Sequence, residues 1–155
     1  MVPMSNSHAV TYREKLWPSP MLLIALLLLI PAGLLAVYPV NASIAPYIAV
    51  ALYVVIAGSL ALAAPTIAVR DGVLQAGNAR IPVSQIGTTE LLDADGLRQI
   101  LGPGADARAY LVVRGYIHRG VRIEIADPSD PTPYWVLTSR RPQQLLQSLS
   151  GARAA

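Results

Sequence analysis

Two adjacent arginines, Arg140 and Arg141, stand where a strand-like run passes into a helix-like run. The stretch reads "PYWVLTSRRPQQLLQSL" and extends from Pro133 to Leu149. Free N–H groups and the helix dipole favour an anion at a helix start, and two guanidinium groups would add positive charge there. The junction is therefore a candidate anion site, although Pro142 has no N–H and leaves one fewer donor.

Further arginines extend this candidate surface into the strands and loops upstream: Arg108, Arg114, Arg119 and Arg122. One interpretation is that they are solvated strand ends, balanced by Glu124, Asp127 and Asp130. The other is that they bind an anionic lipid headgroup or a partner protein, because each basic residue near an anionic leaflet adds about 1 kcal/mol of attraction. The contact candidates in that case are Arg114, Arg119, Arg122, Arg140 and Arg141.

The chain offers few groups for catalysis or metal binding. It contains no Cys, which excludes thiolate nucleophiles and Cys-ligated metals. Its histidines, His8 and His118, are isolated, and no run has the spacing of metal ligands. The net charge of +3 is too small for nucleic acid to be the leading partner. We therefore expect no enzyme activity, no cofactor, no metal and no nucleic acid partner.

The elements that must position the arginines follow a long uncharged segment. Between Lys15 and Arg70 there is no Asp, Glu, Lys or Arg, and the whole chain is 54% hydrophobic and only 14% charged. An average soluble domain has about 25% charged residues. Two apolar runs fill the segment, at about residues 18–38 and 46–64. Each is close to the ~20 residues that cross ~30 Å of hydrocarbon, so we expect a transmembrane helical hairpin and the lipid bilayer as a partner.

Several side chains within the two runs refine this hairpin. Trp17, Tyr38 and Tyr47 lie at the ends of the runs, where amphipathic rings prefer the membrane interface. Pro31 lies inside the first run and removes a backbone hydrogen bond, which predicts a kink. Small residues suited to close packing recur on the second helix and, as a matching face, on the first: Ala45, Ala49, Ala57 and Ala61, and Ala25, Ala32 and Ala36.

Positive residues flank the hairpin at both of its outer ends. Arg13 and Lys15 precede it and Arg70 follows it, so the positive-inside rule predicts that both termini are cytoplasmic at a bacterial inner membrane. The alternative is a signal peptide cleaved after Ala42. We favour a retained helix, because the first run is longer than the usual h-region of about 7–15 residues. The C-terminal half would be cytoplasmic in either case.

The rest of the chain indicates a small β-rich domain. Asp71-Gly72 and Gly77-Asn78 separate β-rich runs and predict two hairpin turns. "LLDADGLRQILG" predicts a short helix capped by Asp93 or Asp95. Three more strands are expected at residues 109–114, 121–126 and 134–139. A helix from about Pro142 to Leu149 should close the domain. It should end near Gly151 and bury Leu145, Leu146 and Leu149.

This order of strands, short helix, strands and closing helix resembles the bacterial pleckstrin-homology-like fold. The segments "DPSDPTPYWVLTSRRP" and "YREKLWPSP", together with the two spans, are similar to an uncharacterised actinobacterial family of small membrane proteins. The similarity extends over roughly residues 11 to 150. That family has no established activity, so the resemblance implies architecture and localisation and assigns no site residue.

The fold class expected is an α+β membrane protein. An N-terminal transmembrane hairpin is followed by a small antiparallel β domain, which is pleckstrin-homology-like and closed by a C-terminal helix. The expected organisation is a disordered tail at 1–12, the hairpin at 13–65, the cytoplasmic domain at 66–150 and a tail at 151–155. The function expected is a non-enzymatic, membrane-anchored interaction or scaffold module that binds a partner protein. The alternatives are a sensor of anionic lipid headgroups and an enzyme acting on a membrane substrate.

Overall fold

The computed structural model describes residues 10–154, which divide into two compact units. One unit is the continuous segment 17–64, and the other combines residues 10–16 with residues 65–154. The second unit is therefore built from two separate stretches of chain, and the first unit is inserted between them. This insertion is the main departure from the linear order expected from sequence.

The inserted unit consists of apolar helices. Helices α1 (Pro20–Leu26) and α2 (Leu29–Val37) form one run, and α3 (Ala45–Leu62) forms the other. Both runs, Pro20–Val37 and Ala45–Leu62, are long and apolar enough to cross a membrane. The α-helix is interrupted at Leu27 and Leu28, whose N–H groups donate to the carbonyls three residues earlier, those of Ile24 and Ala25. This interruption lies just before Pro31, which has no N–H to donate to the carbonyl of Leu27. A kink at Pro31 stays a prediction.

Small residues bring α2 and α3 together, but only part of the predicted pattern is correct. A Cβ added to Gly33 would lie 3.2 Å from both Cα and Cβ of Ala49, so glycine permits this approach. Ala45 and Ala49 are buried, as predicted, while Ala57 and Ala61 are half-buried. The matching face predicted on the first helix is wrong, because its members are exposed and Gly33 makes the contact instead: Ala25, Ala32 and Ala36.

The first sheet of the other unit is a simple antiparallel meander. It contains β1 (Val10–Lys15), β2 (Thr66–Arg70), β3 (Val73–Ala76) and β4 (Ala79–Pro82), in that order. The turn between β2 and β3 has positive φ at Asp71 (51°) and Gly72 (72°), as a two-residue hairpin of this kind requires. The predicted Asp-Gly hairpin is therefore confirmed.

The second sheet is mixed, whereas the sequence predicts antiparallel pairing throughout. Its strands are β5 (Ile86–Leu92), β6 (Tyr110–Val112), β7 (Gly120–Ile125) and β8 (Tyr134–Thr138), and their spatial order is β5-β7-β8-β6. Strand β7 is antiparallel to both β5 and β8, and β6 is parallel to β8. Strand β7 occupies one edge of β8, so β6 pairs with the other edge. There β6 runs in the same direction as β8, which makes this pair parallel.

Strand β8 is buried on both faces, because apolar groups pack against each side of the second sheet. Trp135 and Leu137 belong to the main core, to which α5 (Pro142–Ala154) also contributes Leu145 and Leu149. On the opposite face, Tyr134 and Val136 pack with residues of α4 (Ala94–Leu101) and the end of β5. The resulting unit is an α+β domain with two four-stranded sheets and a C-terminal helix within the described residues.

Both chain ends differ from the predicted tails. Residues 10–15 form β1, which pairs with β2, so residues 10–12 do not belong to a disordered tail and the hairpin begins after residue 16, not at residue 13. The rest of the predicted tail, residues 1–9, lies outside the described part. At the other end, α5 continues past Gly151 to Ala154. Arg153 holds this last turn by donating hydrogen bonds to the carbonyl oxygens of Ile86 and Gly87. Leu146 is half-buried against the core.

Candidate functional site

One end of the second sheet gathers most of the chemically active groups. Strands β5 and β8 run in the same direction, because β7 lies between them and is antiparallel to both. The helices that follow them, α4 and α5, therefore begin at the same end of the sheet. The loop before β7 reaches this end as well, and the N–H of Ser139 donates to the carbonyl of Arg119 at 3.0 Å.

A groove of about 920 Å³ opens at this end, between the starts of α4 and α5. It is lined by the end of β5, the start of α4, the loop before β7 and the start of α5: Glu90, Leu91, Leu92, Asp93, Ala94, Gly96, His118, Arg119, Arg140, Arg141, Pro142, Gln143 and Gln144. We call this surface the α4–α5 groove. It brings together groups from three segments that are well separated in sequence: 90–96, 118–119 and 140–144.

The α4–α5 groove contains part of the arginine set suggested by the sequence. Arg119, Arg140 and Arg141 line it, and all three side chains are exposed. The guanidinium carbon of Arg140 also lies 5.9 Å from the ring centroid of Tyr116. Arg114 lies next to this end of the sheet but does not line the groove; its N–H donates to Thr138 Oγ1 at 3.0 Å.

Arg122 and Arg108 are elsewhere and are held by their own neighbours. Arg122 lies 3.3 Å from Glu124, 3.8 Å from Glu90 and 4.6 Å above the ring of Tyr134, on the face of the sheet. Arg108 pairs with Asp106 at 2.9 Å. The Arg108 guanidinium lowers the pKa of the Asp106 carboxyl through its hydrogen bonds. Arg108 therefore fits the interpretation of a solvated, paired charge, whereas Arg122 is paired but partly buried.

A carboxylate from β1 occupies the backbone donors that precede α5. Glu14 Oε1 accepts from the N–H of Arg140 at 2.9 Å, and Glu14 Oε2 accepts from Ser139 Oγ at 2.6 Å. Ser139 Oγ in turn accepts from the N–H of Arg141 at 3.0 Å. A carboxylate of the protein itself therefore binds two residues before α5, at the N–H of Arg140, and the sequence analysis did not predict it.

Tyr12 completes the same network and remains a donor in it. Its hydroxyl donates to Glu14 Oε2 at 2.6 Å. Burial, followed by the hydrogen bond to Glu14, raises the pKa of Tyr12 far above the usual value of about 10. Because the folded-state pKa is raised, the stability that this group contributes is fully present below pH about 10 and is lost as the pH rises above that.

The opposite wall of the α4–α5 groove is acidic and partly apolar. Asp93 caps α4 by accepting from the N–H of Gly96 at 2.8 Å, and Glu90 lies at the end of β5. Leu91 exposes 47% of its surface between them. The groove therefore has a basic rim, an acidic rim and an apolar patch, a mixture that suits a ligand of mixed character better than a simple anion.

Among residues 10–154 there is no group of three or more His, Cys, Asp or Glu residues that could hold a metal ion. His118 is exposed on the rim of the α4–α5 groove, and His8 lies outside the described residues. The candidate interface anchors belong to the helical unit. Trp17 precedes α1, Tyr38 follows α2 and Tyr47 lies in the first turn of α3, and all three are exposed.

The fold defines the class of protein: a small α+β domain whose chain is interrupted after the first strand by a hairpin of apolar helices. The chain belongs to the family described as protein of unknown function DUF3093, whose model matches residues 11–149. The matched range begins in β1 and ends in α5, so it includes the inserted hairpin and both parts of the domain. No curated protein and no solved structure matches the chain.

Proposed function

We propose that this protein is a non-enzymatic, membrane-anchored interaction module. The helical hairpin holds it in a bacterial inner membrane, and the α+β domain, of pleckstrin-homology-like type, binds a partner protein at the cytoplasmic face. The observation that carries this proposal is the insertion of the hairpin between β1 and β2, two strands that pair along their length. The N–H of Leu16 donates to the carbonyl of Pro65 at 2.9 Å, directly across the insertion point.

The pairing of β1 with β2 supports a hairpin whose two ends lie on the same side of the bilayer. A single crossing would separate the two strands by the thickness of the membrane, which is ~30 Å of hydrocarbon. Arg13, Lys15 and Arg70 flank the insertion, and the positive-inside rule assigns that side to the cytoplasm. Cleavage after Ala42 would detach β1 from the chain, so the pairing also supports a retained first helix.

The groups available on the domain support binding more than catalysis. The α4–α5 groove combines exposed charges of both signs with the exposed Leu91, a composition typical of recognition surfaces. The lipid-headgroup alternative draws on Arg119, Arg140 and Arg141. It is less well supported, because Glu90 and Asp93 in the same groove would repel an anionic headgroup.

In-membrane photo-crosslinking tests this function without assuming which surface is used. A photoreactive amino acid replaces Arg80, Arg98 or Gln143 in turn in the full-length protein, since all three are exposed and lie on different elements. We expect one position to give a discrete protein adduct in native membranes. Adducts to lipid alone at all three positions, or no adduct at any, would contradict an interaction module.

A further inference from the structure

We propose that the α4–α5 groove binds an extended acidic segment of a partner protein. The carboxylates of that segment would pair with Arg119 and Arg141, and an apolar side chain would rest on Leu91. This inference rests on the proposed function and names the surface and the chemistry of the partner. It draws on the placement of the arginines, on a carboxylate already bound at the rim, and on the mixed lining of the groove.

The arginines are held at the groove by the backbone of the second sheet. The hydrogen bond from Ser139 N to Arg119 O fixes the loop before β7 beside the segment that leads into α5. Arg119 and Arg141 therefore reach the same groove from two directions, with exposed side chains. A guanidinium group presents parallel N–H donors that match a carboxylate, so two such groups suit a segment with more than one acidic residue.

The protein already uses this corner to bind a carboxylate. Glu14 accepts from the backbone N–H of Arg140 and from the hydroxyl of Ser139, immediately beside the groove. The backbone N–H of Arg140 is therefore occupied, and the groups proposed to recognise an external ligand are the side chains of Arg119 and Arg141. Side-chain guanidinium groups at an exposed rim bind in a strongly salt-dependent manner, which gives the interaction a measurable signature.

The opposite wall favours a peptide over a membrane surface or a phosphate group. A flat anionic bilayer or a lone phosphate would meet Glu90 and Asp93 together with the arginines. An extended peptide can place its acidic residues on one rim and its amide or apolar groups on the other. Strand β5 is an edge strand of its sheet, and its end lines the groove. Arg153 occupies carbonyls at the start of this strand, whereas Glu90 and Leu91 near its end are exposed and could meet an extended chain.

The test uses full-length protein in nanodiscs of neutral phosphatidylcholine. The probe is a fluorescein-labelled peptide of about ten residues in which glutamate alternates with serine and a leucine replaces one central serine; it spans about 33 Å when extended, with its glutamates on one side. The same peptide with glutamine in place of glutamate is the neutral control. Fluorescence anisotropy reports binding at low and moderate salt, and glycerol phosphate is added as a soluble lipid headgroup.

Matched charge reversals separate the groove from general electrostatic attraction. The first variant combines Arg119→Glu with Arg141→Glu, and the control variant combines Arg80→Glu with Arg98→Glu for the same change in charge. A third variant, with Gln at positions 119 and 141, removes the charge more gently and is used if the first melts below the parent. The control positions are exposed and do not line the groove.

We expect the acidic peptide, and not the neutral one, to bind the parent, and binding to weaken with salt. The groove variant should bind at least about tenfold more weakly, while the control variant stays close to the parent. Failure of the parent to bind, or equal losses in both variants, would overturn the inference. Displacement of the peptide by glycerol phosphate would instead assign the groove to headgroups. A crosslinked partner at Arg80 or Arg98 but not at Gln143, which lines the groove, would leave the interaction module standing and remove this site.

Discussion

A protein fragment that starts at Thr66 should fail to fold, whereas a chain that joins residues 10–16 to residues 65–154 through a short turn should fold as a soluble domain. The reason is that β1 is part of the domain although it precedes the hairpin. Leu16 is fully buried and Tyr12 is 8% exposed, and both belong to the main core. Without β1 the core also loses the Glu14 carboxylate that binds the backbone before α5.

The expected loss is large compared with the stability of a small domain. Removing part of one buried leucine typically costs about 2–5 kcal/mol, and a domain is usually stable by about 5–15 kcal/mol. Deleting β1 removes Leu16, Tyr12 and a row of backbone hydrogen bonds to β2 at once. The fragment from Thr66 should therefore show little cooperative melting.

The joined chain is practical because its two ends already meet. Leu16 N and Pro65 O are 2.9 Å apart, so a short Asn-Gly turn can replace residues 17–64. Circular dichroism melting curves and dispersed NMR amide signals report folding. Leu16→Asp in the joined chain serves as the matched unfolded control. If the fragment from Thr66 melts like the joined chain, β1 does not belong to the domain.

Replacing Leu145 with Asp should unfold the domain, while the same change at Gln147 should be tolerated. Leu145 is fully buried in the main core, and Gln147 is exposed two residues further along α5. A carboxylate at position 145 would be buried without a partner, which costs several kcal/mol. At position 147 it would remain hydrated.

Both variants introduce an aspartate into α5 and change the charge by the same amount. A difference between their melting temperatures therefore reports the effect of burial alone. Thermal unfolding of the full-length protein in nanodiscs, followed by near-ultraviolet circular dichroism, measures the effect. We expect Leu145→Asp to lose the tertiary signal at temperatures where Gln147→Asp keeps it. Equal melting of both variants would mean that α5 is not packed on the sheets.

The local features of the fold are those that the sequence predicts best. The two apolar runs, the interruption of the first run before Pro31 and the Asp71-Gly72 turn each depend on residues that are neighbours in sequence. The extension of α5 past Gly151 was missed, because it depends on a long-range contact of Arg153 with the start of β5. Propensity alone ends that helix too early.

Strand β1 shows most clearly what local patterns leave out. The run "TYREKL" alternates, with Tyr12, Glu14 and Leu16 on one side, so a signal for a strand was present. Its partner, β2, begins at Thr66, beyond the whole hairpin, and no local pattern reveals that pairing. The prediction of a tail followed from treating the apolar runs as the start of the folded protein.

The arginine set was predicted only in part, because the sequence does not show which distant strands pair. Arg140 and Arg141 are neighbours in sequence, and Arg119 joins them because β7 and β8 pair and bring their ends together. Arg122 lies within β7, where its side chain projects onto the sheet face towards Glu124 and Tyr134. Until the strand bounds and the register of the sheet are known, the sequence does not show whether an arginine lies at a strand end, as Arg119 does, or on the face of the sheet, as Arg122 does.

Accessibility of single cysteines to a membrane-impermeant maleimide tests the central claim most directly. The chain contains no Cys, so Ser43→Cys in the loop between the apolar helices and Asn78→Cys in the domain each introduce one reactive site. Both positions are exposed. An inserted hairpin with a cytoplasmic domain predicts that intact cells label Ser43→Cys, and that Asn78→Cys reacts only after the membrane is broken. Labelling of Asn78→Cys in intact cells, or the same accessibility at both positions, would contradict it.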